Sequence, residues 1–403
     1  MVGGGIAGLT AAYHWAKKGA KVTVLEASNK WGGLLATEEV SIDGKSFYIE
    51  YFYHHFFKKD KKLKALLKEL GILNTLEFRT VQNNFGNIYN WKDRLLLAGL
   101  LGFWSYKPLL GLSLGSYYSK LGGLSLTADN LSQMSGFEKL IYFKFYEDSN
   151  DVSLAWLWAR LKARFDLRSL LFGEKLGVIT PSSKVLVDTL VRRLHQMGVD
   201  LKLNWQVKDL VRVVRGRNPS KVIFTIPVDK TARLLGNFIK WRWHVPNYVG
   251  ALNVVLFFDK SVDLRRKTGR RQRFYWTNLT PQPGFEFLVK VEQDLLNPTL
   301  PFRTVYLGAY LPWNHKWWKA SEEELLALVR RRMVQLPWGG LRGVRVFKTK
   351  YAQHIPSVEY FKNVVPRNLG AVRIGNRKVD VEVFSFGNLV PWDRGVNNAI
   401  YGL

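Results

Sequence analysis

The stretch MVGGGIAGLTAAYHWAKKGAKVTVLEA, Met1 to Ala27, constrains the fold most. It predicts a strand, a glycine turn, a helix and a second strand. Gly3, Gly5 and Gly8 fit the spacing G-x-G-x-x-G. A helix is expected from about Ile6 to Lys18, with Ala7, Ala11, Ala12 and Ala16 along it and Gly19 at its end. Lys21 to Ala27 alternates and is rich in valine, as a strand should be. In such a unit the first glycine permits the tight turn, the second admits a pyrophosphate, and the third lets helix and strand pack closely. Free N–H groups at the helix start then face phosphate charge. Glu26 ends the second strand, where a carboxylate accepts from both hydroxyls of a ribose and repels a 2′-phosphate. The expectation is dinucleotide binding, with NADP disfavoured. Only Met1 and Val2 precede Gly3, so the first strand is expected to be a stub.

Composition narrows the chemistry. The 403 residues contain no cysteine, which excludes disulfides, thiolate metal sites and cysteine nucleophiles, and fits a reducing cytoplasm. No basic stretch leads into an apolar core at the start, so no secretory signal is expected. The net charge of +28 includes the runs Lys58 to Lys64, Arg265 to Arg273 and Arg330 to Arg332. This balance favours anionic partners, including phosphorylated substrates and acidic lipid, against the plainer reading of a solvated basic surface. No nucleic-acid module accompanies the runs, so no nucleic-acid partner is expected. The apolar stretch Leu95 to Tyr118 is broken by Lys107-Pro108. It predicts two short helices over a greasy site, or a surface that dips into lipid, rather than a spanning helix.

Six residues beyond Glu26 stands the pair Gly32-Gly33, in EASNKWGGLL. From here the stretch resembles the FAD-binding start of the flavin amine oxidase superfamily, which includes protoporphyrinogen oxidases and phytoene desaturases and, more distantly, UDP-galactopyranose mutases. The segments from Tyr51 (YFYHHFFKKDKKLKALLKELGI), Asp151, Phe274, Tyr306 and Val390 resemble a protoporphyrinogen oxidase-like branch. The resemblance implies an α/β, overall α+β, chain. A discontinuous Rossmann-like FAD-binding domain would occupy residues 1–50, 174–235 and 372–403. A mainly helical lid region would span 51–173, and a mixed-sheet substrate domain 236–371.

The resemblance also implies a cofactor shell. Gly3, Gly4, Gly5, Ala7 and Gly8 would surround the pyrophosphate, with Glu26 and Ala27 at the ribose. Gly32, Gly33 and Leu34 would lie near the ribityl chain and ring, and the Val207 backbone would meet adenine. Arg394, Gly395, Val396 and Asn398 would start the helix that faces the flavin pyrimidine, where helix-end N–H groups stabilise negative charge. Two departures stand out: Pro181-Ser182-Ser183 replaces a glycine pair, and the hairpin before Val222 shrinks to about RVVRGRNPSK.

Candidate substrate residues are His54, His55, Tyr275 and Trp276. The two histidines are adjacent, so they face different ways and do not make the i, i+4 pair of a helical zinc site; no metal is expected. One of them would line the flavin pocket, or both belong to an aromatic cluster. No catalytic residue is assigned, because no triad or paired-carboxylate motif is present, and FAD would carry the redox step. The expected activity is removal of a hydride from a C–N or C–C bond of a bulky apolar or anionic small molecule, with reoxidation by oxygen, a quinone or another carrier. The alternatives are a non-redox mutase on a nucleotide sugar, its diphosphate held by arginines from Arg265 to Arg273, and a non-catalytic relative. A cytoplasmic site with peripheral contact to an acidic membrane is expected.

Overall fold

A computed structural model describes residues 1–86, 89–164, 173–264, 273–385 and 395–402. The helix Ile6–Lys17 forms as the sequence predicts, and the strand after it shortens to Thr23–Leu25. That strand pairs in parallel with Asp200–Lys202. A second group, Asn368–Ile374, Arg377–Val383 and Lys221–Phe224, pairs antiparallel and then parallel. Val2 joins the two groups, with parallel bridges to both Leu25 and Phe224. Four backbone hydrogen bonds of 2.9–3.0 Å secure it: Val2 N–H to Ile223, Gly3 N–H to Leu25, Leu25 N–H to Met1 and Thr225 N–H to Val2. The expected stub is therefore a central strand one residue wide.

Apolar residues decide which helices cover this sheet. Ile6, Leu9 and Ala12 of the first helix bury with Leu186, Leu190 and Leu194 of Lys184–Gln196. A separate cluster holds Leu210, Val214 and Leu235 against Val222, Phe224 and Val381. The first two belong to the helix Leu210–Arg217, which corrects the expected shortened hairpin. Asp209 accepts a hydrogen bond from the Arg212 N–H, Leu210 and Val214 share the buried face, and Asn218 ends the helix in the left-handed region. Those are helix signals, and they override a hairpin assignment.

The six-stranded sheet runs in the order Leu341–His354, Tyr248–Phe258, Arg303–Leu311, Val289–Glu292, Trp276–Asn278 and Asn83–Asn84. All eleven residues of Tyr248–Phe258 are buried, because both faces of the sheet are covered. Val255 and Phe257 face one cluster with Tyr306; Leu252, Val254, Leu256 and Phe258 face the other with Leu325 and Val329. The latter pair sits on the helix Glu322–Arg332, whose Ser321 cap is half of a capping box with Glu324.

Residues 51–173 are not helical from their start. Phe56–Phe57 and Leu76–Val81 flank Glu174–Ile179 in an antiparallel sheet, and Asn83–Asn84 joins the six-stranded one. The alternation of LEFRTV suits pairing better than a helix. Helices dominate from Trp91 onward: Trp91–Gly102, Leu114–Lys120, Gly136–Phe145 and Leu154–Arg164. Their shared core packs onto Val249, Leu288 and Ile355 of the sheet domain. Lys107–Leu109 is a 3-10 turn between the first two, as its proline predicts. Among the described residues no helix is long and apolar enough to cross a membrane.

Candidate functional site: a glycine crevice leading to an aromatic pocket

Each glycine of the first turn has its own steric reason. Gly3 lies at φ +111°, and a Cβ there would stand 2.6 Å from the Thr225 hydroxyl oxygen. A Cβ on Gly8 would fall 1.9 Å from the Gly3 carbonyl oxygen, so the helix touches the turn. Gly4 is pressed between Trp31 and Glu26. Gly5 is different, because its Cβ position is clear to 3.8 Å, where the Gly33 Cα lies. From Val2 to Thr10 the chain is buried except at Gly5 and Ala7, which reach the surface, as Gly33 does opposite.

These three positions line a backbone crevice. The Gly32 N–H donates to the Gly4 carbonyl at 2.9 Å and holds its two walls together. Gly32 and Gly33 both have positive φ, +106° and +61°, so the wall turns where a side chain would be strained. Leu34 is half-buried in the 3-10 turn Gly33–Leu35. The first helix begins at this crevice with no acidic residue in its first turn and no side-chain cap. Its leading N–H groups are thus positioned for an anion. Of the four glycines of this turn only Gly5, the second of the motif, is uncrowded, its Cβ position in ordinary contact with the Gly32-Gly33 wall, and it lies beside a helix start, as an approaching pyrophosphate requires.

The Glu26 carboxylate turns back toward the crevice. One oxygen accepts the Gly4 N–H at 2.6 Å; the other accepts the Ser28 N–H at 2.8 Å and the Ser28 hydroxyl at 2.7 Å. Ala27 beside it is exposed. Trp205 N–H donates to the Glu26 carbonyl and Asn204 N–H to that of Ser28, which brings the segment leading to half-buried Val207 alongside this strand end. Gly395–Asn397 forms a 3-10 turn. Val396 buries with Ile6 and Leu9, and the Asn397 side-chain oxygen accepts the Leu63 N–H at 3.2 Å. Asn398 is half-buried beside it, and Arg394 lies outside the described residues.

The two histidines do part company. His54 turns to Glu50, its N–H and Nδ1 lying 3.1 and 3.2 Å from one carboxylate oxygen. The other Glu50 oxygen accepts the N–H and the hydroxyl of Ser183. Pro181-Ser182-Ser183 thus ends at the start of the helix Lys184–Gln196, and Ser183 places a buried carboxylate at its positive end. His55 faces the sheet domain, where its Nδ1 is 3.3 Å from the Tyr275 hydroxyl and its ring meets Trp276 edge-on. His55, Tyr275 and Trp276 pack with Asn83, Glu174 and Leu176 into a close cluster that leaves no water-sized space between them. Asn83 donates to Glu174 within it at 2.6 Å. Sequence reasoning missed Glu50, Asn83 and Glu174. Apart from His54 beside Glu50, their partners lie far along the chain, and no local motif marks them.

Among the described residues no group of three potential ligands is placed to hold a metal ion. Of the basic run from Arg265, residues 265–272 lie outside the described residues. Arg273 forms a bidentate pair with Asp294 at 2.9 Å and a 2.7 Å bond to Glu292. Burial alone would push its guanidinium down, but the two carboxylates raise it above its ordinary value.

Residues 6–367 match the family described as flavin containing amine oxidoreductase. Over 72 residues the chain is 33% identical to the carotenoid phi-ring synthase of Chlorobaculum tepidum, a match covering 18% of this chain and 11% of that protein. The fold is similar to that of cyclohexylamine oxidase from Brevibacterium oxydans, with a TM-score of 0.66 and 13% identity over 99% of this chain and 95% of that one. It is also similar to a provisionally named protoporphyrinogen oxidase from Exiguobacterium, with a TM-score of 0.64 and 14% identity over the same shares. The chain belongs to the flavin containing amine oxidoreductase family, and by that membership is an FAD-dependent oxidoreductase.

Proposed function

We propose that this chain takes a hydride from a C–N or C–C bond of a bulky, apolar small molecule bound against His55, Tyr275 and Trp276. In this reading residues 1–50, 174–235 and 372–403 form the FAD-binding part. Gly3, Gly4, Gly5, Ala7 and Gly8 hold the pyrophosphate and Glu26 the adenosine ribose. Val207 meets adenine, Gly32 to Leu34 flank the ribityl chain, and Val396 and Asn398 approach the pyrimidine end. When bound, FAD accepts the hydride and passes the electrons to oxygen, a quinone or another carrier.

One observation carries the reading: the crevice and the aromatic cluster are joined by a short path. Tyr51 N–H donates to the Ala36 carbonyl at 3.1 Å, which returns the chain to the end of the glycine turn just before His54-His55. The residues' own tasks follow. Tyr275 is fully buried, so its hydroxyl holds the His55 ring in a fixed orientation. The edge-on rings of Tyr53, His55 and Trp276 present apolar surface and keep water from a hydride-transfer site. The nucleotide-sugar mutase loses support at Arg273, which is committed to two carboxylates.

The test is anaerobic. Purified protein should be yellow and release FAD on heating. Bulky hydrophobic amines, polyenes and reduced tetrapyrroles are then added without external reductant. Bleaching of the flavin bands by at least one class is expected. A yellow protein that none of them bleaches, yet that isomerises a nucleotide sugar once reduced, overturns the proposal.

A further inference from the structure

Beyond its first turn, from Leu95 onward, the helix Trp91–Gly102 is apolar on every side. Asp93, Leu96 and Leu100 face the core, where Asp93 accepts the Tyr118 hydroxyl at 2.6 Å. The opposite stripe is Trp91, Arg94, Leu95, Ala98, Gly99 and Gly102, all exposed and apolar but for the arginine in the first turn. A helix without a polar face belongs in a core or in lipid, and this one is only half in a core. The exposure is large: 64% at Trp91, 51% at Leu95 and 100% at Trp104. Phe103, also exposed, adjoins Trp104 at the helix end. Leu124 extends the other end, because Lys92 donates to the Gly122 carbonyl at 3.3 Å. Patches of this kind on a folded chain mark an interaction site.

The charges around the patch have one sign. From Trp91 to Leu124 the ionisable acids and bases are Lys92, Asp93, Arg94, Lys107 and Lys120. Asp93 is buried, so every exposed charge in the segment is positive. A protein partner would need a complementary acidic, aromatic-lined surface. A bilayer with anionic headgroups offers both properties at once: apolar depth for the tryptophans and negative charge for the lysines that surround them. Twelve residues of helix cover about 18 Å, too short to span. We propose that the face made by Trp91, Leu95, Phe103, Trp104 and Leu124 rests in the headgroup region of an anionic lipid bilayer, with the helix parallel to its plane.

Phe85, exposed and six residues before Trp91 in the chain, is two residues from Asn83 of the aromatic cluster, and its carbonyl accepts the Asn278 side chain at 3.3 Å. The membrane proposal stands without the flavin reading, since it uses none of the residues of the crevice.

The test uses the full chain. Sedimentation is measured with vesicles of phosphatidylcholine alone and with vesicles carrying about a third phosphatidylglycerol. The parent should sediment with the anionic vesicles, and Trp91→Ser with Trp104→Ser should bind at least about ten-fold more weakly. Because the chain has no cysteine, Trp104→Cys takes a single environment-sensitive dye. Its emission should shift to the blue on anionic vesicles, while Lys378→Cys, on the strand Arg377–Val383, should not respond. Equal binding by parent and double variant overturns the proposal, as does a silent dye at position 104. A dye signal that grows with protein concentration without vesicles assigns the face to a second copy instead.

Discussion

Ser183 donates both its N–H and its hydroxyl to one carboxylate oxygen of Glu50, 133 residues earlier in the chain. Serine at a helix start ordinarily turns its hydroxyl onto its own helix. Here no such bond forms, and the hydroxyl is spent on a carboxylate that faces the helix end from outside. Both residues are buried, and the Tyr306 hydroxyl adds a bond of 2.8 Å to the Glu50 carbonyl. Burial, with the Glu50 charge nearby, holds the Tyr306 phenol well above its ordinary range, so it stays a donor. The helix Lys184–Gln196, the end of the strand Lys45–Glu50 and Tyr306 of the six-stranded sheet therefore meet at one residue, Glu50.

Ser183→Ala removes the hydroxyl and leaves a buried carboxylate short of one donor. A cost of about 1–3 kcal/mol in unfolding free energy is expected. Urea denaturation of the holoprotein measures it. A loss under about 0.5 kcal/mol would show that the hydroxyl is not holding Glu50.

Glu26 joins the turn to the sugar site, so its two roles need separating. Glu26→Ala takes the acceptor from the Gly4 N–H as well as from the ribose. Loss of hydrogen bonds to a charged group should weaken FAD binding by roughly 10–100-fold. Glu26→Gln keeps one oxygen for the Gly4 N–H and should fall between alanine and parent. Reconstitution of the apoprotein, followed by flavin absorbance after gel filtration, reads both. Parent-like retention in the alanine variant places the ribose elsewhere.

The glycine turn was legible because Gly3, Gly4 and Gly8 each have a separate steric cause, and those causes are local. The buried strand Tyr248–Phe258 was legible for a similar reason: an unbroken apolar run needs cover on both faces. Leu341–His354 was not, since its lysines and arginines hide the alternation, and most of its positions are only half-buried. Leu210–Arg217 was misjudged from family resemblance, although Asp209 and Asn218 carried the helix boundaries in plain view. The Glu50 junction had no signature at all. Its distant partners, Ser183 and Tyr306, come from two other segments, and only the fold brings them to Glu50.

Gly8 and Gly19 make a controlled pair. Alanine at Gly8 drives a Cβ into the Gly3 carbonyl, a backbone atom that moves only if the turn opens. Overpacking of that kind costs about 1–3 kcal/mol or more, and the opened turn should also release FAD. Gly19 has φ +78° but nothing within 4 Å of its Cβ position, so alanine there pays only the left-handed strain of about 1–2 kcal/mol. Flavin content, read as absorbance per protein after gel filtration, should separate the two variants more sharply than melting temperature does. Equal flavin content in both would remove the steric argument for the crevice.

Glu286 gives a pH test with a definite sign. Burial pushes its carboxyl up, but His315 and the Gly284 N–H, 2.8 Å away, outweigh burial and hold it below its ordinary value of 4.5. The folded chain therefore binds this proton less tightly than the unfolded chain. Below about pH 4.5 the unfolded state carries more protons, so stability falls with pH there. The contribution is complete above that value and disappears as pH drops through the folded one. Glu286→Gln should lower the melting temperature near neutrality, where it loses the charge that His315 and Gly284 address. Other depressed carboxylates, Asp200 among them, titrate in the same range and steepen the acid slope of both proteins alike. The gap between parent and variant should therefore narrow as pH is taken from about 6 to about 3.5. A gap that stays constant across that range would mean the Glu286 charge adds nothing to the fold.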